Sequence, residues 1–257
     1  MASLSLRQME ILDIARRDGR VLVENLADQF SVSVQTIRRD LTALDQSGSL
    51  ERVHGGAVLP SGVSAMGYAD RCGLNEYSKA AIARCIAREI PNNSSIFLNI
   101  GTSTEAVARN LLNHNNLMVV TNNINVVHIL QANPQCDIVI TGGVLRRTDG
   151  GLVGQLTIAT IEQFKFDYAV IGCSALDEDG DLLDFDFREV CVSQTIIRQS
   201  RHVFLAADQS KFRRTAPMRI DSLKNIDAFF TDAPLPETLL ANCDKWNTAA
   251  YVCGTEM

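Results

Sequence analysis

Apolar residues recur every three or four positions in three short stretches at the start of the chain. This spacing predicts helices over about 5–18, 23–30 and 34–47, because it gathers the apolar side chains on one face of each helix. Ser33 directly precedes the third helix, where its side chain can cap the first turn. The predicted buried face of that helix consists of Val34, Ile37, Leu41 and Leu44. Residues 50–57 then predict a strand, a glycine turn and a returning strand.

The pattern changes after residue 58. Residues 59–74 carry Pro, Ser and Gly with little periodicity, which predicts a linker. Beyond it, short apolar runs alternate with helical periodicity, which is typical of a mostly parallel, doubly wound sheet. The predicted strands are 95–99, 117–121, 137–141, 168–173, 202–207, 228–231 and 249–253, and the predicted helices are 79–90, 104–112, 125–131, 156–164, 189–199 and 236–242. We therefore expect an α/β protein with one domain at 1–58 and a second at 75–257.

Composition indicates an ordinary globular protein and gives no sign of a metal site or a disulfide framework. The 257 residues are 46% apolar and 21% charged, and no apolar run approaches the ~20 residues that a membrane helix requires. The seven cysteines are scattered, without a CxxC pair or a Cys/His cluster. The first twelve residues lack the layout of a signal peptide. The expectation is a cytoplasmic protein with free thiols, no cofactor and no membrane partner.

Net charge gives no general argument for nucleic-acid binding. The chain has 24 Lys and Arg against 30 Asp and Glu, a net charge of −6. The first 57 residues contain seven Arg and no Lys against eight acidic residues. A DNA-binding hypothesis must therefore depend on where the arginines lie and not on how many there are.

The second and third predicted helices are joined by a tight connection, as in a helix-turn-helix. The polar face of the third helix would present side chains suited to DNA, since Gln can pair with adenine, Arg with guanine, and Ser or Thr with phosphate. The candidate contacts on this helix are Ser33, Gln35, Thr36, Arg38 and Arg39, with Asp40 available to orient an arginine. The candidate contacts on a following wing are Arg52, His54, Gly55 and Gly56. The alternative is a plain three-helix bundle with a solvated polar face.

A possible phosphate-binding loop follows the first strand of the second domain. Gly101, Thr102, Ser103 and Thr104 lie between a predicted strand and the start of a helix. Glycine allows close backbone approach, amides and hydroxyls donate hydrogen bonds, and the helix dipole favours an anion. The loop contains no GKS or GxGxxG motif. A simply capped helix start is the alternative interpretation.

Other predicted strand ends carry polar residues, and ligands of open α/β sheets bind at the carboxyl ends of strands. These candidate ligand contacts are Asn122, Asn123, Arg146, Asp177, Glu189, Asp208 and Lys211. Lys211 would meet a phosphate, and the carboxylates would accept hydrogen bonds from hydroxyl groups. The alternative is that the glycines are ordinary turn residues and that the acidic stretch 177–189 is a solvated loop.

The segment Val32–Val58, VSVQTIRRDLTALDQSGSLERVHGGAV, resembles the signature of the DeoR family of bacterial transcription repressors. The resemblance implies a winged helix-turn-helix that contains the DNA-contact candidates named above. From Ser78 to about Cys253 the order of motifs resembles the effector domain of the same family, which is similar to the ribose-5-phosphate isomerase fold. The implied ligand is a sugar or polyol phosphate, with glycerol-3-phosphate as the expected inducer. Two positions depart from the family pattern: Asn99 replaces an acidic residue and Arg213 replaces a glycine.

The expected function is a repressor of a carbon-catabolic regulon that binds double-stranded operator DNA as a homo-oligomer, a dimer or a tetramer. An isomerase with an appended DNA-binding module is one alternative. Against it, the acidic and bulky stretch 181–185 stands where the isomerases have a Lys-Gly-Gly-rich loop, and it would repel an enediolate. A second alternative is that the C-terminal domain serves only to oligomerise the protein.

Overall fold

A computed structural model describes residues 4–18, 20–47, 49–53, 55–58 and 68–254. Within the first 58 residues it contains three helices and a three-stranded antiparallel sheet in the order β1-β3-β2. These elements are α1 (Leu6–Asp18), β1 (Arg20–Leu22), α2 (Val23–Gln29), α3 (Val34–Gln46), β2 (Glu51–Val53) and β3 (Gly56–Val58). Three helices with a small sheet form the winged helix-turn-helix that the sequence predicted.

The small N-terminal core is built from the apolar faces of the three helices. Ile11, Leu26, Ile37, Leu41 and Leu44 are all at most 1% exposed. The prediction that Val34 belongs to this buried face is wrong, because Val34 is 37% exposed. It is the first residue of α3, where no preceding turn covers its side chain.

The wing closes against β1, a strand that the sequence analysis did not predict. Gly56 pairs with Leu22 across the ladder, and a β-carbon at Gly56 would overlap the carbonyl oxygen of Val21. Gly56 is therefore required by the close approach of two backbones. Gly55, at the turn, has φ +80°, a conformation that favours glycine. His54, and Gly48 after α3, lie outside the described residues.

The C-terminal domain contains helices and strands that alternate along the chain. The helices are α4 (Tyr68–Gly73), α5 (Glu76–Glu89), α6 (Thr102–Asn110), α7 (Ile124–Leu130), α8 (Gln155–Ile161), α9 (Phe187–Gln199) and α10 (Glu237–Trp246), with short 3-10 helices at Gln209–Arg213 and Leu223–Asn225. The strands are β4 (Ser95–Leu98), β5 (Leu117–Thr121), β6 (Cys136–Ile140), β7 (Val144–Arg146), β8 (Gly151–Val153), β9 (Phe166–Ile171), β10 (Ala175–Leu176), β11 (Asp181–Asp184), β12 (Ser200–Ala206), β13 (Met218–Ser222), β14 (Ala228–Thr231) and β15 (Ala249–Val252).

Seven of these strands form one parallel sheet in the order β6-β5-β4-β9-β12-β14-β15. Each corresponds to one of the seven strands predicted from apolar runs, so the predicted doubly wound α/β architecture is confirmed. The chain order reverses direction between β4 and β9, which are adjacent in the sheet. The carboxyl ends of these two strands therefore border the crevice where ligands of such sheets bind.

Apolar side chains fill both faces of the parallel sheet. Phe97, Phe166 and Phe229 lie in one cluster, whereas Ile96 and Phe230 lie in the other. Each of these five side chains is fully buried. A sheet covered on both faces by helices explains why its strands are continuous apolar runs without polar alternation.

The small strands and α4 were not predicted. Strands β7 and β8 form a hairpin, and β10, β11 and β13 form a separate antiparallel sheet. They are two to five residues long and lack an apolar run. The end of the expected linker, residues 68–73, forms helix α4, while 59–67 lie outside the described residues. In the part of the chain that the structure describes, no helix is long and apolar enough to cross a membrane.

Candidate anion-binding cavity and nucleic-acid interface

Helix α3 presents a polar face to solvent. Ser33 caps the helix by accepting a hydrogen bond from the Thr36 amide at 3.2 Å, and the two side-chain oxygens lie 2.9 Å apart. Gln35, Arg38 and Arg39 are exposed. This helix therefore offers one amide and two guanidinium side chains to a partner, as a recognition helix does.

Asp40 does not orient the arginines of this face. Its side chain turns towards α1, where it accepts hydrogen bonds from Arg7 Nε at 2.6 Å and from Gln8 Nε2 at 3.3 Å. Asp40 is only 7% exposed. The expectation that Asp40 positions Arg38 or Arg39 is wrong, because α1 provides the partners of this carboxylate.

Arg52 lies on β2 and is held against α3. Its backbone amide donates to Asp45 Oδ1 at 3.1 Å, and its guanidinium donates to the Thr42 hydroxyl at 3.1 Å. Arg52 remains exposed. Gly55 is exposed at the turn, whereas Gly56 is buried and serves the packing of the wing.

A cavity of about 530 Å³, including open solvent at its mouth, lies at the carboxyl ends of β4, β9 and β12. Its position is the crevice between β4 and β9, where ligands of open α/β sheets bind. The lining residues are Arg71, Leu74, Lys79, Ile100, Gly101, Thr102, Ser103, Thr104, Gly172, Cys173, Ser174, Asp184, Glu189, Ala206, Asp208, Lys211 and Arg214.

The loop after β4 forms one wall of the cavity. Gly101 has φ +144°, which favours glycine, and it directly precedes α6. The Thr104 hydroxyl donates to the carbonyl oxygens of Asn99 and Gly101, at 2.6 and 2.7 Å, and is fully buried. Thr104 therefore stabilises the loop, whereas Thr102 and Ser103 remain partly exposed to the cavity. The first turn of α6 adds backbone amides that favour an anion.

Asn99, which precedes this loop, stabilises it through buried hydrogen bonds. Its side-chain oxygen accepts from the Ile100 amide at 2.8 Å, and its Nδ2 donates to Ser193 at 2.9 Å. Asn99 is 1% exposed and does not line the cavity. Arg213, the second departure from the expected pattern, is exposed at the end of a 3-10 helix.

Four cationic side chains surround the cavity: Arg71, Lys79, Lys211 and Arg214. Burial lowers the pKa of Lys79 to about 8, against the opposing charge of Asp208. Burial and then the neighbouring Arg214 lower the pKa of Lys211. A cluster of buried like charges is unfavourable unless negative charges offset it, which makes this cavity a candidate site for an anion.

Several donors in this cluster have no acceptor within the described residues. The buried Nε of Arg71 and the buried Nε and Nη2 of Arg214 make no hydrogen bond there. An unmet guanidinium N–H in a protein interior is costly, because desolvation is not compensated. A bound phosphate would supply oxygen acceptors in the planar geometry that guanidinium groups prefer.

Carboxylates also line the cavity. Asp184 accepts from the Ser174 hydroxyl at 3.0 Å. Burial, reinforced by the charge of Asp184, raises the pKa of Glu189 to about 7. Although burial opposes ionisation of Asp208, the charge of Lys211 and the Ser210 hydrogen bonds hold its pKa below the ordinary value. The cavity therefore combines cations for an anionic group with acceptors for hydroxyl groups.

Four predicted ligand contacts do not line the cavity: Asn122, Asn123, Arg146 and Asp177. Asn122 Nδ2 donates to the Leu152 carbonyl at 3.1 Å, and Asn123 Nδ2 donates to Glu105 at 3.3 Å. Both are fully buried. Their role is to join β5 to β8 and α6, because interior amides must find partners.

Arg146 and Asp177 also have structural partners. Arg146 donates to Asp149 Oδ2 at 2.6 Å and to Glu189 Oε2 at 2.6 Å. Asp177 closes the β10–β11 hairpin by accepting from the Asp181 amide at 2.8 Å. Arg146 therefore contacts a lining residue of the cavity, Glu189, without lining the cavity itself.

Three cationic cavity residues were missed by the sequence analysis. Arg71 lies in what was expected to be a linker, and Lys79 begins a helical pattern whose lysine would ordinarily be a surface residue. Arg214 follows Lys211 by three residues, and this spacing is a signal that could have identified it. Among the described residues, no group of three or more His, Cys, Asp and Glu side chains could hold a metal ion.

Comparison with known proteins gives matches over nearly the whole chain. Residues 7–63 match the family model described as a DeoR-like helix-turn-helix domain, and residues 74–233 match the DeoR C-terminal sensor domain. The chain is 44% identical over 234 residues to the glycerol-3-phosphate regulon repressor of Escherichia coli (strain K12), covering 91% of this chain and 93% of that protein. It is 42% identical over 249 residues to the protein of the same name from Haemophilus influenzae, covering 97% of each.

Solved structures similar to the chain include ribose 5-phosphate isomerase A from Methanocaldococcus jannaschii. The sequence identity is 13% and the TM-score is 0.40, and the match covers 54% of this chain and 55% of that one.

Proposed function

Because the chain belongs to the DeoR family of DNA-binding transcriptional repressors, we propose that it represses a carbon-catabolic regulon and that glycerol-3-phosphate releases it from its operator. The repressors of E. coli and H. influenzae that it resembles are named for the glycerol-3-phosphate regulon. Under this proposal the protein works in the cytoplasm, where both the operator and the phosphorylated metabolite are found.

The cavity with its unmet guanidinium donors is the observation that carries the proposal. The inducer's phosphate docks between the Gly101–Thr104 loop and the cations Lys79 and Lys211, and Arg71 and Arg214 supply further donors. Its hydroxyl groups donate to the carboxylates that also line the cavity, Asp184 and Glu189. A lining with both cations and carboxylates suits a molecule that carries a phosphate and hydroxyl groups.

On the DNA side, helix α3 enters the major groove. Gln35, Arg38 and Arg39 face the bases and phosphates, and Ser33 and Thr36 contact the backbone at the start of the helix. The wing with Arg52, His54 and Gly55 approaches the neighbouring phosphates. A homo-oligomer, a dimer or a tetramer, presents several such modules to a repeated operator, because one small module buries too little surface for high affinity.

Induction requires that the ligand bind the free and DNA-bound arrangements with different affinity. A coupling of roughly 1–3 kcal/mol corresponds to an operator affinity about 5- to 150-fold weaker in the presence of inducer. That range is sufficient for a switch in gene expression.

The family assignment also decides against the enzyme alternative, since the curated relatives are repressors. The stretch that was expected to be unsuitable for isomerase chemistry is strand β11, which places Asp184 in the cavity. Two carboxylates there accept hydroxyl hydrogen bonds and would oppose a developing enediolate.

The direct test is thermal unfolding with a small ligand panel: glycerol-3-phosphate, fructose-1-phosphate, fructose-6-phosphate, ribose-5-phosphate, glycerol and inorganic phosphate. A ligand at 100 times its dissociation constant adds about 2.7 kcal/mol of stability. We expect the largest shift with glycerol-3-phosphate, and we expect Lys211→Gln to reduce it. Arg201→Gln is the matched control, because Arg201 is 63% exposed and pairs with Asp167 away from the cavity.

Two outcomes of the panel would change the proposal. A larger shift with another sugar phosphate would retain a phosphate-responsive repressor but replace glycerol-3-phosphate as its inducer. The absence of a shift with any phosphorylated compound would contradict the effector role of the cavity and favour a C-terminal domain that only oligomerises.

A further inference from the structure

Helix α4 is the first described element after the wing, and it is tied directly to the core of the effector domain. The Tyr68 hydroxyl donates to Glu105, with oxygen–oxygen distances of 3.0 and 3.2 Å. Asn125 Nδ2 donates to the Tyr68 oxygen at 3.0 Å. Glu105 is 2% exposed and lies in the first turn of α6, next to the Gly101–Thr104 loop. The start of α4 therefore contacts the helix that follows the anion-binding loop.

Arg71, one turn further along α4, connects this helix to the cavity. Its Nη2 donates to Asp149 Oδ2 at 3.2 Å, and its carbonyl oxygen accepts a hydrogen bond from Lys79 Nζ. Arg71 lines the cavity, and its buried Nε has no hydrogen-bond partner within the described residues. Arg71 is thus held by Asp149 through Nη2 and keeps an unmet donor at Nε.

We propose that Arg71 couples the bound anion to helix α4, and through α4 to the chain that leads into the DNA-binding domain. This inference rests on the proposed function. Without an anion, α4 is held by the Tyr68–Glu105 and Arg71–Asp149 contacts and by the Lys79 bond to its backbone. With an anion, Arg71 Nε gains an acceptor and Lys79 gains a second one. The ligand then favours one position of α4 over others.

Helix α4 lies close in sequence to the DNA-binding domain, so a change in its position can affect that domain. Only residues 59–67 separate it from β3, the last strand of the wing. A ligand shifts an equilibrium only by its differential contacts with the two states. Lys211 and Arg214 follow β12 and lie outside α4, so their contact with the anion does not pass through α4. Arg71 determines how much of that binding reaches the DNA-binding domain.

The test separates binding from coupling. A duplex selected from a random library by the unmodified protein serves as operator, and its dissociation constant is measured without and with glycerol-3-phosphate at saturation, with occupancy verified by calorimetry. The unmodified protein is expected to lose about 5- to 150-fold in operator affinity. The Arg71→Gln variant is expected to bind glycerol-3-phosphate more weakly. Once this variant is saturated, its operator affinity should fall by less than about twofold. The Lys211→Gln variant should also bind glycerol-3-phosphate more weakly. Once it is saturated, its operator affinity should fall by the same factor as that of the unmodified protein.

Tyr68→Phe gives an independent measurement, since Tyr68 does not line the cavity. It removes both hydrogen bonds to Glu105 and leaves all the cavity residues in place. We expect the dissociation constant for glycerol-3-phosphate to stay within about twofold, while the loss of operator affinity at saturation changes at least threefold. If Arg71→Gln fails to fold, Tyr68→Phe decides alone.

The inference would be overturned if saturated Arg71→Gln and Tyr68→Phe both lost as much operator affinity as the unmodified protein. Arg71 would then be a ligand contact only. This outcome would leave the proposed function intact. If the unmodified protein binds its operator equally well with every phosphate of the panel, the proposed function fails first, and the coupling role of Arg71 fails with it.

Discussion

Arg146 and Glu189 form an ion pair, with 2.6 Å between Nη1 and Oε2. Arg146 also contacts both carboxylate oxygens of Asp149, so its charge is satisfied by protein groups. Glu189 is therefore held in place at the cavity wall, and Arg146 is not available to a ligand. Arg146, a ligand contact predicted from the sequence, instead orients Glu189, which is suited to bind a hydroxyl group.

Glu189→Gln should separate hydroxyl recognition from phosphate recognition. We expect affinity for glycerol-3-phosphate to fall by roughly 10- to 100-fold, the value of a hydrogen bond to a charged acceptor. Affinity for inorganic phosphate should stay equal or rise, because a neighbouring negative charge is removed. Calorimetric titration with both ligands measures the two effects. The matched control is Glu178→Gln, at an exposed position outside the cavity; parallel losses for both ligands would show that Glu189 acts only through the fold.

Binding of glycerol-3-phosphate should weaken as the pH rises from 7.5 to 9. Lys79 has a pKa lowered to about 8 by burial, so its ammonium group is lost across this range. A phosphate favours the charged form, which raises the pKa of Lys79 in the complex and makes binding take up a proton. The second ionisation of a phosphate monoester, near pH 6, is complete before this range begins.

The expected loss of affinity approaches tenfold per pH unit above the pKa of the free protein. It is measured by calorimetry at several pH values, and Lys79→Gln should remove most of it. If Lys79→Gln keeps the full pH dependence of glycerol-3-phosphate affinity, another group is responsible for the titration.

Arg38→Ala and Arg39→Ala should each weaken operator binding. A base contact is worth about 1–3 kcal/mol, roughly 5- to 150-fold, and its loss relaxes sequence preference. Loss of a phosphate contact instead weakens binding to all sequences and reduces the salt dependence of binding. Anisotropy titrations at several salt concentrations, on specific and on scrambled duplexes, tell the two apart. Arg201→Ala should leave both unchanged, and unchanged binding by both recognition-helix variants would contradict the assignment of α3.

Asp40→Ala should lower the stability of the N-terminal domain and leave intrinsic DNA contacts intact. The substitution removes the hydrogen bonds from Arg7 and Gln8 that join α1 to α3. We expect a loss of about 1–2 kcal/mol in the free energy of unfolding, measured with urea. Asp28→Ala, at an exposed position on α2, is the control. If Asp40→Ala changed sequence preference on DNA without a change in stability, the carboxylate would act at the interface after all.

The periodicity of apolar residues predicted the major elements well, because burial on both faces of the sheet leaves a strong signal. The runs around Phe97, Val119, Val170 and Phe230 are strands for this reason. The hairpin β7–β8 and the sheet β10-β11-β13 have no such signal. Their pairing is set by tertiary contacts between short segments, which a single sequence does not display.

Side-chain partners were harder to predict than elements. Asn123 and Arg146 follow strand ends, as ligand contacts do, yet buried neighbours take up their hydrogen bonds. Arg71 and Lys79 lie far from the strand ends in sequence and reach the cavity through α4 and α5. Sequence position identifies which edge of the sheet a residue approaches. The competition among polar groups for partners at that edge depends on three-dimensional proximity.

The separation of the strands from the loops at their ends has a consequence for the history of such regulators. The strands of the parallel sheet hold the fold together through buried side chains, while the residues that line the cavity lie on segments after β4, β9 and β12 and on α4, α5, α9 and β11. Substitutions in those segments can exchange one metabolite for another without unfolding the sheet. Proteins of this architecture can therefore come to respond to a different metabolite through a few substitutions in these segments. For the same reason, the domain is a suitable starting point for engineered metabolite sensors.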